Sequence, residues 1–118
     1  MKTTIKKPVA IQRPLVTNHR SIDAQSEAVG TVYKTTNYDM FGHFEGNRET
    51  NEAHIKNLME SIAENQLPVP IVTDEILRTG DGQNRLEACR RLRVPVYYII
   101  IPGMTLQDVK RLNSNVKT

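Results

Sequence analysis

The sequence has little of what several classes of protein require. It contains one cysteine, Cys89, so no intramolecular disulfide can form and a metal site built from several thiolates is excluded. Its three histidines lack the short spacing that is typical of zinc sites, and we predict no structural metal. No window approaches the roughly eighteen consecutive apolar residues of a membrane-spanning helix. These absences favour a small domain in reducing surroundings.

The N-terminus is basic but has no apolar core or small-residue cleavage site like those of a signal peptide, so we expect a cytoplasmic protein. A length of 118 residues, with 38% apolar and 25% charged side chains, suits one compact domain. The whole net charge of +3 arises in residues 1–30, because residues 31–118 hold eleven basic and eleven acidic side chains. We therefore expect an irregular basic arm over residues 1–28, followed by a folded domain over residues 29–118. Such an arm either binds DNA phosphates or serves as a solubilising tail.

The folded part mixes strand and helix patterns. Residues 31–44 favour strands interrupted by a turn. Apolar residues recur at helical spacing between 51 and 65, after a possible cap at Thr50 or Asn51. A hairpin is predicted over 69–73 and 76–79, a second helix over 85–93, a buried strand over 94–101, and a third helix after the capping box of Thr105 and Asp108. The pattern predicts an α+β fold, with helices flanking a small mixed sheet.

The most informative segment comprises residues 80–85, which we name the glycine loop. It follows a predicted strand, opens a predicted helix and reads Gly80, Asp81, Gly82, Gln83, Asn84, Arg85. Glycines let the backbone adopt positive φ and approach a ligand closely, while the start of a helix presents N–H groups at its positive end. A guanidinium such as that of Arg85 binds phosphate oxygens through two N–H groups. The segment predicts an anion site, most simply for a phosphate.

A plainer interpretation is a tight turn in which the glycines serve backbone geometry and Arg85 pairs with a carboxylate such as Glu52. Glu52 would otherwise be a weak candidate for a general base. Asp81 is a possible magnesium contact, an orienter of the loop, or a turn residue; the latter two roles are favoured because an acid repels phosphate unless a cation intervenes. Cys89 falls on the apolar side of the second predicted helix and is expected to be inert core.

The order of these motifs resembles the ParB/sulfiredoxin superfamily over about residues 30–118. The resemblance is carried by Gly46-Asn47-Arg48, the helix after it, Pro70-Ile71-Val72, Asp81-Gly82-Gln83-Asn84-Arg85 and the Val94-Pro95-Val96 strand. The chain looks most like the phage and mobile-element type called "ParB-like nuclease domain", whose signature is close to D-G-Q-H-R. Here Asn84 stands where histidine is usual.

The resemblance implies CTP or ATP, with magnesium, bound where the loop meets the helix. It places Gly82, Gln83, Asn84 and Arg85 at that site, with Asn47 and Arg48 facing the phosphates. Asn113 and Lys117 match a third motif more weakly. It also suggests that the sequence stops within a helix, and that a region after Thr118 could support oligomerisation.

The leading hypothesis is a nucleotide-binding ParB-like domain associated with DNA maintenance in a plasmid, phage or mobile element, with at most slow nucleotide hydrolysis. One alternative is a DNA-binding or DNA-cleaving module whose loop holds a backbone phosphate, although metal-dependent cleavage usually needs two or more convergent carboxylates. Another is an ATP-dependent phosphotransferase acting on a small molecule. We expect no sulfiredoxin activity, since Gln83 occupies the place of that family's nucleophilic cysteine and an amide cannot replace a thiolate.

Overall fold

The structure is a computed structural model that describes residues 24–47 and 49–114. Within these ranges the chain forms five strands and three α-helices, with a short 3-10 turn at Tyr38–Met40. In chain order they are β1 (Tyr33–Thr35), β2 (Gly42–His43), α1 (Glu52–Glu64), β3 (Ile71–Thr73), β4 (Arg78–Asp81), α2 (Gln83–Leu92), β5 (Val96–Ile100) and α3 (Leu106–Ser114). The predicted α+β class is confirmed. No helix among the described residues is long and apolar enough to cross a membrane.

The five strands form one mixed sheet in the order β1-β5-β3-β4-β2. β5 pairs antiparallel with β1 and parallel with β3, while β4 pairs antiparallel with β3 and parallel with β2. The parallel β2–β4 contact brings His43 level with Thr79. As a result, the segment before α1 lies beside the strand that leads into the glycine loop.

Helices cover both faces of the sheet. Successive side chains of β3 point to opposite faces, and Ile71 belongs to the larger core cluster while Val72 packs against the smaller one. The larger cluster contains Ile55 and Ile62 of α1 and Ala88 and Cys89 of α2. The smaller cluster is formed by Phe44 together with Met104 and Val109. α1 and α2 therefore share one face, and α3 lies on the other.

The first and third helices start as the sequence predicted. Asn51 is the N-cap of α1, and its side-chain oxygen accepts a hydrogen bond from the His54 amide at 2.9 Å. Before α3, the Thr105 amide donates to Asp108 Oδ2 at 3.0 Å and the Asp108 amide donates to Thr105 Oγ1 at 3.2 Å. These reciprocal bonds confirm the predicted capping box.

The hairpin that leads to the glycine loop is held by one buried carboxylate. Asp74 is fully buried and accepts hydrogen bonds from the amides of Ile76 at 3.2 Å and Arg78 at 2.8 Å, and from the Arg78 guanidinium at 2.8 Å. The sequence predicted a strand over 76–79, but β4 starts only at Arg78. The reason is that Asp74 draws the intervening amides into a turn, where Leu77 has a φ of 66° and the Ile76 side chain is exposed.

Other element boundaries also differ from those predicted: β3 starts at Ile71 rather than at residue 69, and β5 spans Val96–Ile100 rather than residues 94–101. α2 begins at Gln83 rather than at residue 85, so the end of the glycine loop already belongs to the helix. At the N-terminal end, the described part of the predicted arm, residues 24–28, is exposed and carries no strand or helix. Residues 1–23 of that arm lie outside the described residues.

Candidate functional site

The glycine loop lies where β4 passes into α2, and its conformation requires glycine at one position. Gly82 is the residue before the helix and has a φ of 103°. A Cβ at this position would lie 2.6 Å from Cγ2 of Ile71. Both the left-handed backbone and the close approach to β3 exclude a side chain. The sequence predicted a backbone geometry that depends on glycine in this loop, and the structure confirms it at Gly82.

The start of α2 is suited to an anion. The first hydrogen bond of the helical ladder runs from the Leu86 amide to the Gly82 carbonyl at 2.9 Å. The N–H groups of Asn84 and Arg85 come before that bond and have no acceptor within the helix. Gly82 has no side chain to cap them. The N-terminal end of α2 therefore carries the partial positive charge that favours a bound anion.

The three polar side chains at the start of α2 point in different directions. Gln83 lines a cavity, whereas the Asn84 side-chain oxygen accepts a hydrogen bond from the Asn51 amide at 2.8 Å. Arg85 is about 200° around the helix from Gln83, does not line that cavity and forms no ion pair with a described residue.

Asp81 is a strand residue in the structure. It is the last residue of β4 and pairs with Val72 of β3. It does not line the cavity. Among the described residues, no group of three or more histidine, cysteine, aspartate or glutamate side chains is placed to hold a metal ion.

Two asparagines that the resemblance assigned to different motifs meet at the glycine loop. Asn113 Nδ2 donates to Asn47 Oδ1 at 3.1 Å and to the Gly80 carbonyl at 3.3 Å. Asn47 Nδ2 donates to the same Gly80 carbonyl at 3.3 Å and reaches the Thr79 carbonyl at 3.5 Å. We name this group the amide clamp; it joins α3, the segment before α1 and the end of β4. Arg48 and Lys117, the other residues of the two motifs, lie outside the described residues.

A cavity of about 530 Å³ opens beside the first turn of α2. One side of the cavity is lined by residues 41–47, Glu49 and Thr50, and the other side is lined by Thr79, Gln83, Leu86 and Glu87. The volume is within the range of small-molecule sites. Of the predicted site residues, the structure brings Asn47 and Gln83 to this cavity.

The sequence did not single out three of the cavity residues, Phe41, Phe44 and Thr79. They come together because β2 pairs in parallel with β4. β2 is only two residues long, which is too short for a strand pattern to be recognised in the sequence. Thr79 is 1% exposed, and among the described residues its hydroxyl has no hydrogen-bond partner. Asn65 Oδ1, which does not line the cavity, is also buried without a partner among the described residues, so the Thr79 hydroxyl indicates a site only together with its position in the cavity wall.

Glu52 pairs with Arg91 and not with Arg85, which the turn interpretation had suggested. Arg91 binds both Glu52 oxygens, at 2.6 and 3.0 Å, and also binds Glu87 at 2.8 Å. The hydrogen bond from Arg91 holds the pKa of the Glu52 carboxyl below its ordinary value. The hydrogen bond from Arg90 does the same for Glu87. Arg91 therefore bridges Glu52 and Glu87, and the suggested pair of Glu52 with Arg85 is not present.

Cys89 lies in the larger core, as predicted. It is 1% exposed, and burial raises the pKa of its thiol to about 11. A thiol with this pKa is almost entirely protonated at neutral pH and is a poor nucleophile. The structure therefore supports an inert role for this residue.

The fold is similar to that of a solved structure, the C2221 crystal form of a Pnob8-like ParB-N domain. The similarity has a TM-score of 0.53 at 16% sequence identity, and it covers 73% of this chain and 35% of the other. The chain thus spans about a third of the protein it matches. No protein-family model matches the sequence, and no curated protein matches it. At this level of identity the similarity establishes a ParB-like fold.

Proposed function

We propose that this ParB-like domain binds a nucleoside triphosphate, CTP or ATP with magnesium, at the glycine loop. The observation that carries the proposal is the position of the 530 Å³ cavity directly beside the N-terminal end of α2. One small molecule can place an anionic group at the helix end and its remaining part in the cavity. Nucleotides have this division into a charged and an uncharged part.

In this arrangement the phosphates lie across the first turn of α2. The amides of Asn84 and Arg85 and the Arg85 guanidinium would bind phosphate oxygens, and magnesium, where bound with the nucleotide, would neutralise part of the phosphate charge. Because the Asn84 side chain already accepts from Asn51, its role is to fix the start of α1 relative to α2. Gln83 faces the cavity and so meets the other part of the nucleotide.

The proposal extends to work on DNA, as in the maintenance of a plasmid, phage or mobile element. Its support is the ParB-N-like fold together with the concentration of positive charge in residues 1–30. Lysines and arginines that contact DNA phosphates release counterions, so this binding weakens as salt rises. Deleting residues 1–23 should therefore remove a salt-dependent part of the affinity for duplex DNA and leave nucleotide affinity unchanged.

Isothermal titration of the full chain with CTP, ATP and GTP in the presence of magnesium tests nucleotide binding. Arg85→Ala should weaken the binding of the preferred nucleotide about ten- to a hundredfold, as expected for the loss of a charged hydrogen-bond donor. Arg85→Lys should recover part of the loss because it keeps the charge without the paired N–H groups. Arg111→Ala removes an exposed arginine of α3 and should leave affinity unchanged.

Circular dichroism and a thermal melt establish that each variant is folded. If a folded wild-type chain binds none of the three nucleotides at millimolar concentration, the proposal is wrong. If Arg85→Ala abolishes DNA binding and leaves nucleotide binding intact, the loop instead serves a DNA phosphate. ATP turnover that Glu52→Gln abolishes would favour the phosphotransferase hypothesis.

A further inference from the structure

The cavity beside the glycine loop differs chemically from the helix end next to it. Of the described residues that line it, three carry carboxylates and none is lysine or arginine. Glu87 is already paired with Arg90 and Arg91. Glu45 and Glu49 are exposed and form no ion pair with a described residue. The cavity therefore offers two carboxylates as hydrogen-bond acceptors.

Carboxylates repel phosphate and accept hydrogen bonds from hydroxyl and amino groups. A nucleotide that places its phosphates at the N-terminal end of α2 thus avoids placing them in the cavity. The part that enters has to supply donors to Glu45 and Glu49. The apolar rings of Phe41 and Phe44, which also line the cavity, suit a ligand that has carbon surface between its polar groups.

Thr79 gives an independent indication that this cavity takes a polar ligand. A Cβ on the neighbouring Gly80 would meet Met104 and Val109, so Gly80 faces α3 and Thr79 faces the opposite side of the sheet, towards the cavity that it lines. The Thr79 hydroxyl is buried without a partner among the described residues. An unsatisfied buried hydroxyl lowers the free energy of unfolding by about 1–3 kcal/mol. An apolar side chain would avoid this cost, so a hydroxyl at this position indicates a role in binding.

We propose that the cavity selects the sugar of the nucleotide, and that Glu45 and Glu49 accept hydrogen bonds from the vicinal hydroxyls of a ribose. The inference rests on the proposed function and adds the ligand class: a ribonucleotide is bound in preference to the 2′-deoxyribonucleotide with the same base. An acidic side chain on the ribose hydroxyls is a recurrent way of recognising ribose in other nucleotide sites. Sites built to bind a hydroxyl discriminate against the analogue that lacks it because their polar groups are then left unpaired.

The test compares the affinities of a ribonucleoside triphosphate and its 2′-deoxy analogue by isothermal titration, with and without magnesium. The wild-type chain should prefer the ribonucleotide by about tenfold or more, the effect of one hydrogen bond to a charged group. Glu45→Gln combined with Glu49→Gln should reduce this preference to near unity, mainly by weakening binding of the ribonucleotide. Glu60→Gln, an exposed carboxylate on α1 away from the cavity, is the matched control and should keep the wild-type preference.

Equal affinity of the wild type for both nucleotides overturns the inference and leaves the proposed function standing. Equal losses for both nucleotides in the double variant, seen only when magnesium is present, also overturn it, because they assign the two carboxylates to the cation. If neither the ribonucleotide nor its 2′-deoxy analogue binds to the folded wild-type chain, the proposed function and this inference are overturned together.

Discussion

Asn113 and Asn47 are 66 residues apart in the sequence, and their side chains meet through a hydrogen bond of 3.1 Å. Both also donate to the Gly80 carbonyl, at the point where β4 enters the glycine loop. α3 is thereby joined to the wall of the cavity by polar contacts as well as by the apolar packing of Met104 and Val109. The resemblance placed both residues in motifs of the ligand site; the structure shows them hydrogen-bonded to each other and to the end of β4.

The hydrogen bond between Asn47 and Asn113 in the amide clamp should be measurable as a coupling energy between the two residues. Urea unfolding of Asn47→Ala, Asn113→Ala and the double variant should give a coupling of about 0.5–1.5 kcal/mol, the usual net value of a hydrogen bond. Asn57→Ala on the exposed side of α1 is the control and should change the free energy of unfolding by less than about 0.5 kcal/mol. Additive effects of the two substitutions would show that the hydrogen bond between Asn47 and Asn113 contributes no coupling energy.

Thr73 and Thr79 are cross-strand partners in β3 and β4, both buried, with opposite hydrogen-bonding states. Thr73 Oγ1 donates to one of two nearby carbonyls, those of Asp74 and Ile99, each at 3.2 Å, while Thr79 Oγ1 has no partner among the described residues. Thr73→Val should destabilise the fold by about 1 kcal/mol, and Thr79→Val should be neutral or stabilising. Chemical denaturation of the two variants provides the comparison. Equal destabilisation by both would mean that the Thr79 hydroxyl is hydrogen-bonded in solution.

Gly82→Ala should be far more harmful than Gly103→Ala. Both glycines have positive φ, but a Cβ on Gly103 would meet nothing within 4 Å, whereas one on Gly82 would lie 2.6 Å from Ile71. The positive φ alone should lower the free energy of unfolding of either alanine variant by about 1 kcal/mol or more. Overpacking against β3 should lower it by a further ~1–3 kcal/mol at Gly82. Thermal unfolding of both variants separates the two contributions. Similar melting temperatures for the two would show that β3 moves aside without strain.

Asp74 should make stability fall at acidic pH. Burial raises the pKa of its carboxyl, but the hydrogen bonds and the charge of Arg78, with the Ile76 amide, outweigh this effect and hold the pKa below its ordinary value. A depressed pKa in the folded state stabilises the fold above the unfolded-state pKa of about 3.9, and this stabilisation is lost as pH falls towards the folded-state value.

Asp74→Asn should therefore destabilise the chain by about 1–3 kcal/mol at neutral pH, because it removes the charge and turns a donor towards Arg78. The difference from wild type should shrink as pH decreases below about 4. Urea unfolding at several pH values measures it, with Glu60→Gln as the exposed control. A difference that stays constant down to low pH would show that the ionisation of Asp74 does not contribute to stability.

Local patterns in the sequence predicted much of the fold. The helical spacing of Ile55 and Ile62 with the Asn51 cap gave α1 almost to the residue, and the Thr105–Asp108 box gave the start of α3. These features depend on neighbours within one or two turns, so they can be read without tertiary structure. The β4 start was wrong because a buried carboxylate, rather than the apolar run, decides where that hairpin turns.

The arrangement around the glycine loop required the tertiary structure. The sequence identified the loop and the need for glycine at residue 82, but it treated the polar residues after it as one phosphate cradle. Successive side chains of the helix that begins at Gln83 lie about 100° apart, so Gln83 faces the cavity, Asn84 accepts a hydrogen bond from the Asn51 amide and Arg85 lies on another side. Residue order alone does not show which side a ligand would use.

The sequence by itself determined the fold class, the helices with local caps, the inert burial of Cys89 and the glycine at the start of α2. Each of these follows from short-range geometry or from the chemistry of one residue type. Only the tertiary structure decided that Arg91 binds Glu52, that Asn113 meets Asn47 and that the cavity lies between β2, β4 and α2. Those contacts join residues that are distant in the chain, and strand pairing and helix packing, which no local pattern encodes, bring them together.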